Sequence, residues 1–172
     1  MKIAVIGYCG SGKSTLSRKL AQKYGVDVLH LDAVHWLPGW QMRTREEKTA
    51  IVGEFLDTHR ESGWVIDGNY SKQHFDRRMS EADRIIFMNF NRFACLGRVI
   101  KRYKTYKGKS RPDMGEGCEE KVDAAFVKWV LWSGRTKNTK QKFKDVIKKY
   151  PQKVTVIKNQ RGLDRFEQVE GL

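Results

Sequence analysis

Gly7-Tyr8-Cys9-Gly10-Ser11-Gly12-Lys13-Ser14 is the stretch that decides the fold of this chain. It satisfies G-x-x-x-x-G-K-[ST] at every fixed position, and each position has a task in holding a triphosphate. The glycines let the backbone curl until its N–H groups face phosphate oxygens. Lys13 reaches the β- and γ-phosphates, and the Ser14 hydroxyl is a Mg²⁺ ligand. Cys9, Gly10, Ser11 and Thr15 complete the wrap, and the helix that follows points its positive end at the same anion.

Context supports the motif. Lys2–Ile6 reads KIAVI, an apolar run suited to a buried parallel strand, and Leu16, Leu20 and Ala21 recur at helical spacing over Thr15–Tyr24. A dinucleotide fingerprint is the competing reading, because Asp32 follows Gly12 by the distance of a ribose-binding acid. The glycines run G-x-x-G-x-G rather than G-x-G-x-x-G, however, and Lys-Ser follows at once.

Working outward, five apolar runs predict strands: Ile3–Ile6, Val26–Leu31, Trp64–Ile66, Arg84–Phe90 and Val154–Ile157. The segments between them mostly have helical length, which predicts an α/β fold with a parallel sheet covered on both faces and right-handed crossovers. At 172 residues the chain is expected to form one domain, 1–172, with a core of its own. Two stretches interrupt the rhythm. Residues 33–62 carry Trp36, Pro38-Gly39 and Trp40 before a helix expected at Arg45–Arg60. Residues 98–118 begin as a basic helix and run into Gly108, Pro112, Gly115 and Gly117. Both follow strand ends, where ligands of such sheets sit.

Net charge is +14, concentrated at Arg98–Arg111, which has no acid, and at Arg135–Lys149, where Asp145 stands alone. Polyanions, either nucleotides or nucleic acid, are the natural partners of such segments, and a solvated basic face is the alternative. The three cysteines are far apart and the histidines lack zinc spacing, so a structural zinc is not expected and a reducing cytosol is. The N-terminal apolar run is too short for a signal peptide, and no run approaches a membrane span. The expectation is a cytoplasmic protein without a membrane partner.

Trp64-Val65-Ile66-Asp67-Gly68 is an apolar strand ending in an acid, the form of a Walker-B element whose Asp67 holds Mg²⁺ directly or through water; an N-cap or turn role is the alternative. Asp32 closes the second run in the same manner. It is read as binding the acceptor, orienting its hydroxyl or acting as base, against a simple cap. Phosphoryl transfer needs its charge neutralised, so Arg98 and Arg102, four apart on one helix face, are the first arginine candidates. Arg111 and Arg135 are the next. Trp129 and Trp132 are expected in a buried helical face. Trp36 and Trp40 are expected to wall an acceptor pocket, with Asn69 and Tyr70 supplying polar contacts. Cys9, beside a helix N-terminus and Lys13, is expected to have a lowered thiol pKa.

Together GYCGSGKST, LHLDAVHWLPGW, WVIDGNY and the R-x-x-x-R…RPD segment resemble the adenylate-kinase-related P-loop proteins often labelled DNA topology-modulation proteins. The resemblance implies a nucleoside-monophosphate-kinase-like sandwich with a five-stranded sheet in order 2-3-1-4-5. It also implies an acceptor-binding insertion at 33–62, a lid at 98–118 and an adenine-contacting loop at Asn159–Gly162, including Arg161. The arginine that follows the Walker-B acid in adenylate kinases is replaced here by Asn69-Tyr70, so AMP is not the acceptor implied. Asp32 aligns with the acceptor-binding acid of shikimate-kinase-like proteins, which implies a small hydroxylated acceptor. The function implied is an ATP- and Mg²⁺-dependent phosphotransferase, and the alternative is a nucleic-acid-associated, ATP-binding regulatory protein.

Overall fold

The strand that carries the P-loop is the centre of the molecule. In the computed structural model, which describes residues 1–111, 113–115 and 117–172, β1 (Lys2–Gly7) pairs on one side with β5 (Trp64–Asp67) and on the other with β6 (Arg84–Met88). Strands β2 (Asp27–His30) and β7 (Val154–Ile157) form the edges, giving a five-stranded parallel sheet in the order β2-β5-β1-β6-β7. Strands β3 (Trp36–Leu37) and β4 (Gln41–Met42) form a separate two-stranded hairpin. Leaving that hairpin uncounted, the sheet has the expected 2-3-1-4-5 order.

Composition explains which strands lie inside. Ile3, Val5, Val65, Ile66, Ile85 and Ile86 are fully buried, as a sheet covered on both faces requires. The covering helices are α1 (Lys13–Tyr24), α2 (Leu31–His35), α3 (Arg45–Thr58), α4 (Phe75–Glu81), α5 (Arg92–Tyr106), α6 (Ala124–Leu131), α7 (Lys137–Lys149) and α8 (Gln160–Glu170). Helix α1 buries Leu16, Ser17, Leu20 and Ala21 and stops at Gly25, whose φ of 61° suits a residue without Cβ. Helix α3 starts with a capping box in which Thr44 and Glu47 satisfy each other's backbone N–H.

Two expectations are corrected. Asp32 does not close a strand: β2 ends at His30, and Asp32 lies in the first turn of the short α2. Trp129 and Trp132 are not core. Helix α6 buries Val130 and Leu131, which leaves Trp129 44% and Trp132 57% exposed. Among the described residues, no helix is long and apolar enough to cross a membrane.

Candidate active site

The P-loop takes its shape from three glycines with positive φ: Gly7 at 141°, Gly10 at 74° and Gly12 at 96°. A Cβ on Gly10 would lie 2.6 Å from the Cys95 carbonyl oxygen and 2.8 Å from Val99, so the loop is pressed against α5. Asn69 fixes the start of the loop. Its side-chain oxygen accepts from the Gly7 N–H at 3.0 Å and its NH₂ donates to the Gly7 carbonyl at 2.6 Å. The carboxamide expected to meet an acceptor is thus bound to the P-loop backbone, although Asn69 also lines the cavity described next.

That cavity, of about 650 Å³, opens over the P-loop. Cys9, Gly10, Gly12, Lys13, Ser14 and Thr15 form its floor. Asp32 and Tyr70 stand on one side, Arg98 and Arg102 rise from α5, and Arg111 and Asp113 come from the segment after α5. Gln160, Leu163 and Glu167 of α8 and Trp129 of α6 complete the lining. Lys13 Nζ donates to the Tyr8 carbonyl at 3.2 Å.

The arginines are held individually. Arg98 stacks on Phe90 with 4.1 Å from guanidinium carbon to ring centre, and it donates to the Ser11 carbonyl and to Gln160 Oε1. Burial lowers its pKa. Arg102 Nη2 and Arg111 Nε reach the two oxygens of Glu120 at 2.7 and 2.6 Å, and Arg111 Nη1 reaches Asp113 at 2.9 Å. Burial alone would raise the Asp113 carboxyl, but Arg111, the Ser14 hydroxyl, His30 and Arg18 outweigh it and hold the group below the usual carboxylate value. Glu120 and Asp113 went unrecognised in the sequence, although Asp113 stands in the RPD motif. Pro112 of that motif and Glu116 lie outside the described residues.

On the Asp32 side of the cavity, the Tyr70 hydroxyl donates to Asp32 Oδ1 at 2.7 Å. Burial, reinforced by the Asp32 charge, pushes the Tyr70 phenol well up, so it stays a donor. His35 stacks on Tyr70 with ring centres 4.7 Å apart. Asp67 ends β5 and is 3% exposed. Its Oδ1 meets His30 Nδ1 at 3.0 Å, while its buried Oδ2 has no partner among the described residues. For His30, burial is the largest influence and pushes its pKa down, but the hydrogen bond and charge of Asp67 outweigh it and leave a net rise.

No protein-family model and no curated protein matches the chain. Solved structures do. One is a deoxyadenosine kinase from M. mycoides with bound dATP, 14% identical over 99% of this chain and 98% of that one, with a TM-score of 0.55. Another is an unliganded sugar kinase from Janibacter sp., 15% identical over 97% of this chain and 92% of that one, with a TM-score of 0.54.

The fold is that of the P-loop kinases.

Within this P-loop kinase fold, several residues singled out in the sequence lie away from the cavity. Gly7 and Ser11 sit behind its floor, and Ser11 is fully buried. Arg135 lies with its guanidinium 3.8 Å from the centre of the Tyr8 ring and donates to the Phe90 carbonyl at 3.1 Å, bracing the P-loop from behind. Arg161 is exposed at the start of α8, and its neighbour Gln160 faces the cavity instead. Trp36 and Trp40 do not line this cavity. They pack edge to face in the β3–β4 hairpin, and Trp40 Nε1 donates to the Glu119 carbonyl at 3.1 Å. Gly39 N–H donates to the Gly117 carbonyl at 3.1 Å and Cys118 Sγ lies 3.2 Å from the Leu37 carbonyl, so this hairpin fastens the insertion to the segment after α5. Cys9 lines the cavity, but burial raises its thiol pKa more than Lys13 and Arg102 lower it, reversing the sequence expectation.

Proposed function

We propose that the chain is an ATP-dependent phosphotransferase that moves the γ-phosphoryl group to a small acceptor. One observation carries the reading: a single cavity joins a complete P-loop to Arg98, Arg102 and Arg111 and to the Asp32–Tyr70 pair on its far side. The P-loop and Lys13 bind the donor, and the arginines neutralise charge on the group in flight. Asp32 receives or orients the acceptor hydroxyl, with Tyr70 holding the carboxylate in place. Residues 33–62 form the acceptor side and 98–118 the lid. Kinship with the topology-modulation proteins belongs to the same proposal and adds nothing to the chemistry.

The residues fit a Mg²⁺ ion that arrives with the nucleotide. Asp67 offers a buried carboxylate oxygen without a partner among the described residues, although it does not itself line the cavity, and Ser14 offers a hydroxyl at the cavity floor. Mg²⁺ takes one or two protein oxygens and fills the rest of its shell with phosphate and water. When bound, it would supply charge neutralisation at the β- and γ-phosphates.

Nucleic acid is the weaker reading for the first basic cluster, because Arg98, Arg102 and Arg111 turn into the cavity or onto buried acids. The test is ADP release from Mg²⁺–ATP across sugars, sugar acids, nucleosides and nucleoside monophosphates. Release that depends on one class of acceptor supports transfer; equal release with every compound and with none contradicts it.

A further inference from the structure

Beside the main cavity lies a second pocket of about 300 Å³, with Tyr70 as a wall common to both. It brings together Arg45 and Lys48 of α3, Lys72 and Gln73 of the loop after β5, and His35. Among the described residues no acidic one lines it, and Asp32 faces Tyr70 from the main cavity. The wall is largely carbon, and Arg45 and Lys72 are exposed to solvent.

The loop itself is built for negative charge. Its carbonyls are drawn away by donors from behind. Arg78, fully buried and without a carboxylate partner among the described residues, donates to the carbonyls of Gly68, Tyr70 and Gln73 at 3.2, 2.9 and 2.9 Å. Lys142 donates to the Asn69 carbonyl at 2.6 Å, and Thr49 Oγ1 to that of Lys72 at 3.2 Å. The N–H groups of Tyr70, Ser71 and Lys72 have no backbone partner among the described residues. Successive N–H groups in a turn are available to an anion or to solvent. The Gln73 side chain is 3% exposed, and its carboxamide oxygen has no partner among the described residues. His35, which also lines the pocket, has its pKa lowered by burial and then by the Lys48 charge.

We propose that this pocket receives an anionic group, a phosphate or a carboxylate, of the phosphoryl acceptor, whose hydroxyl then meets Asp32 on the other side of Tyr70. The inference rests on the acceptor-side reading given above. It narrows the acceptor class to hydroxylated compounds that carry a negative charge of their own.

Binding separates this proposal from transfer. With the P-loop saturated by a non-hydrolysable ATP analogue, calorimetry compares matched pairs on the full chain: glucose with gluconate and with glucose 6-phosphate, and adenosine with AMP. At least one anionic member should bind about tenfold or more tightly than its neutral counterpart, the scale of a charge-assisted contact. Whether gluconate or a phosphate ester gains more tells carboxylate from phosphate. The Lys48→Ala/Lys72→Ala double variant should lose most of that advantage and keep its affinity for the ATP analogue. Equal affinity within every pair overturns the proposal, and so does an advantage that survives the double variant. These outcomes do not depend on turnover, so a Lys13→Ala variant that still transferred phosphate would sink the assignment of transfer to this P-loop while leaving this result to stand or fall separately.

Discussion

The proposed donor half and the proposed acceptor half of the cavity are built by different means. The donor half is one uninterrupted stretch, Gly7–Thr15, carried by the central strand and pressed onto α5, with backbone groups as its main instruments. The acceptor half is assembled from side chains of separate elements: Asp32 from α2, Tyr70 from the loop after β5, and Arg78 and Lys142 reaching that loop from α4 and α7. A site made of backbone is rigid and local in sequence. A site made of side chains can be altered one contact at a time, and its parts are scattered along the chain.

Breaking the acceptor half at its root should have the largest effect on stability. Arg78→Ala leaves the buried carbonyls of Gly68 and Gln73 without that donor and the Tyr70 carbonyl with only the Gln73 N–H at 3.4 Å, and each orphaned group costs about 1–3 kcal/mol. A loss of roughly 4 kcal/mol in urea unfolding is expected, and Arg78→Lys should recover part of it. A loss below about 1 kcal/mol would show that the loop needs no such anchor.

Asn69 is where the halves join, since an acceptor-side loop residue holds the first glycine of the P-loop. Asn69→Ala should cost about 2 kcal/mol for its two hydrogen bonds. It should also weaken ATP binding by about tenfold, whereas an acceptor contact alone would change only the acceptor KM. Equilibrium titration with ATP decides between the two.

A smaller effect is expected where the β3–β4 hairpin meets the segment after α5. Trp40→Phe keeps an aromatic ring and removes one hydrogen bond, worth about 1 kcal/mol or less. The readout is trypsin cleavage between Lys107 and Lys121, which should quicken while the sheet stays resistant.

The gentlest probe is pH. His30 has a raised pKa in the folded chain, so its contribution to stability is complete below its unfolded value near 6.5 and fades as pH rises through the folded value. Unfolding in urea from pH 5.5 to 8.5 should show that decline in the wild type and less of it in His30→Gln. Identical slopes would separate His30 from Asp67.

This contrast also explains what could be read from the chain alone. The P-loop, the five sheet strands and the position of Asp67 were legible, because a contiguous motif and continuous apolar runs carry them, whereas the strand order was implied only by the family resemblance. Trp129 and Trp132 were misread because helical spacing does not say how short α6 is or that Val130 and Leu131 suffice to dock it. The burial that raises the Cys9 thiol has no local signature. Trp36 and Trp40 were conspicuous, but their partners lie at 115–119, far along the chain. Glu120 and Arg78 gave no signal at all, since a buried charge that satisfies distant groups looks like any other surface residue in sequence.

Acceptor-dependent ADP release by the intact chain, measured in parallel with Lys13→Ala, tests transfer across this cavity most directly. ADP should form in step with phosphorylated acceptor, stay near background without it, and fall roughly 10²–10³-fold or more in the variant. Acceptor-independent release, or turnover that survives the loss of Lys13, would contradict it.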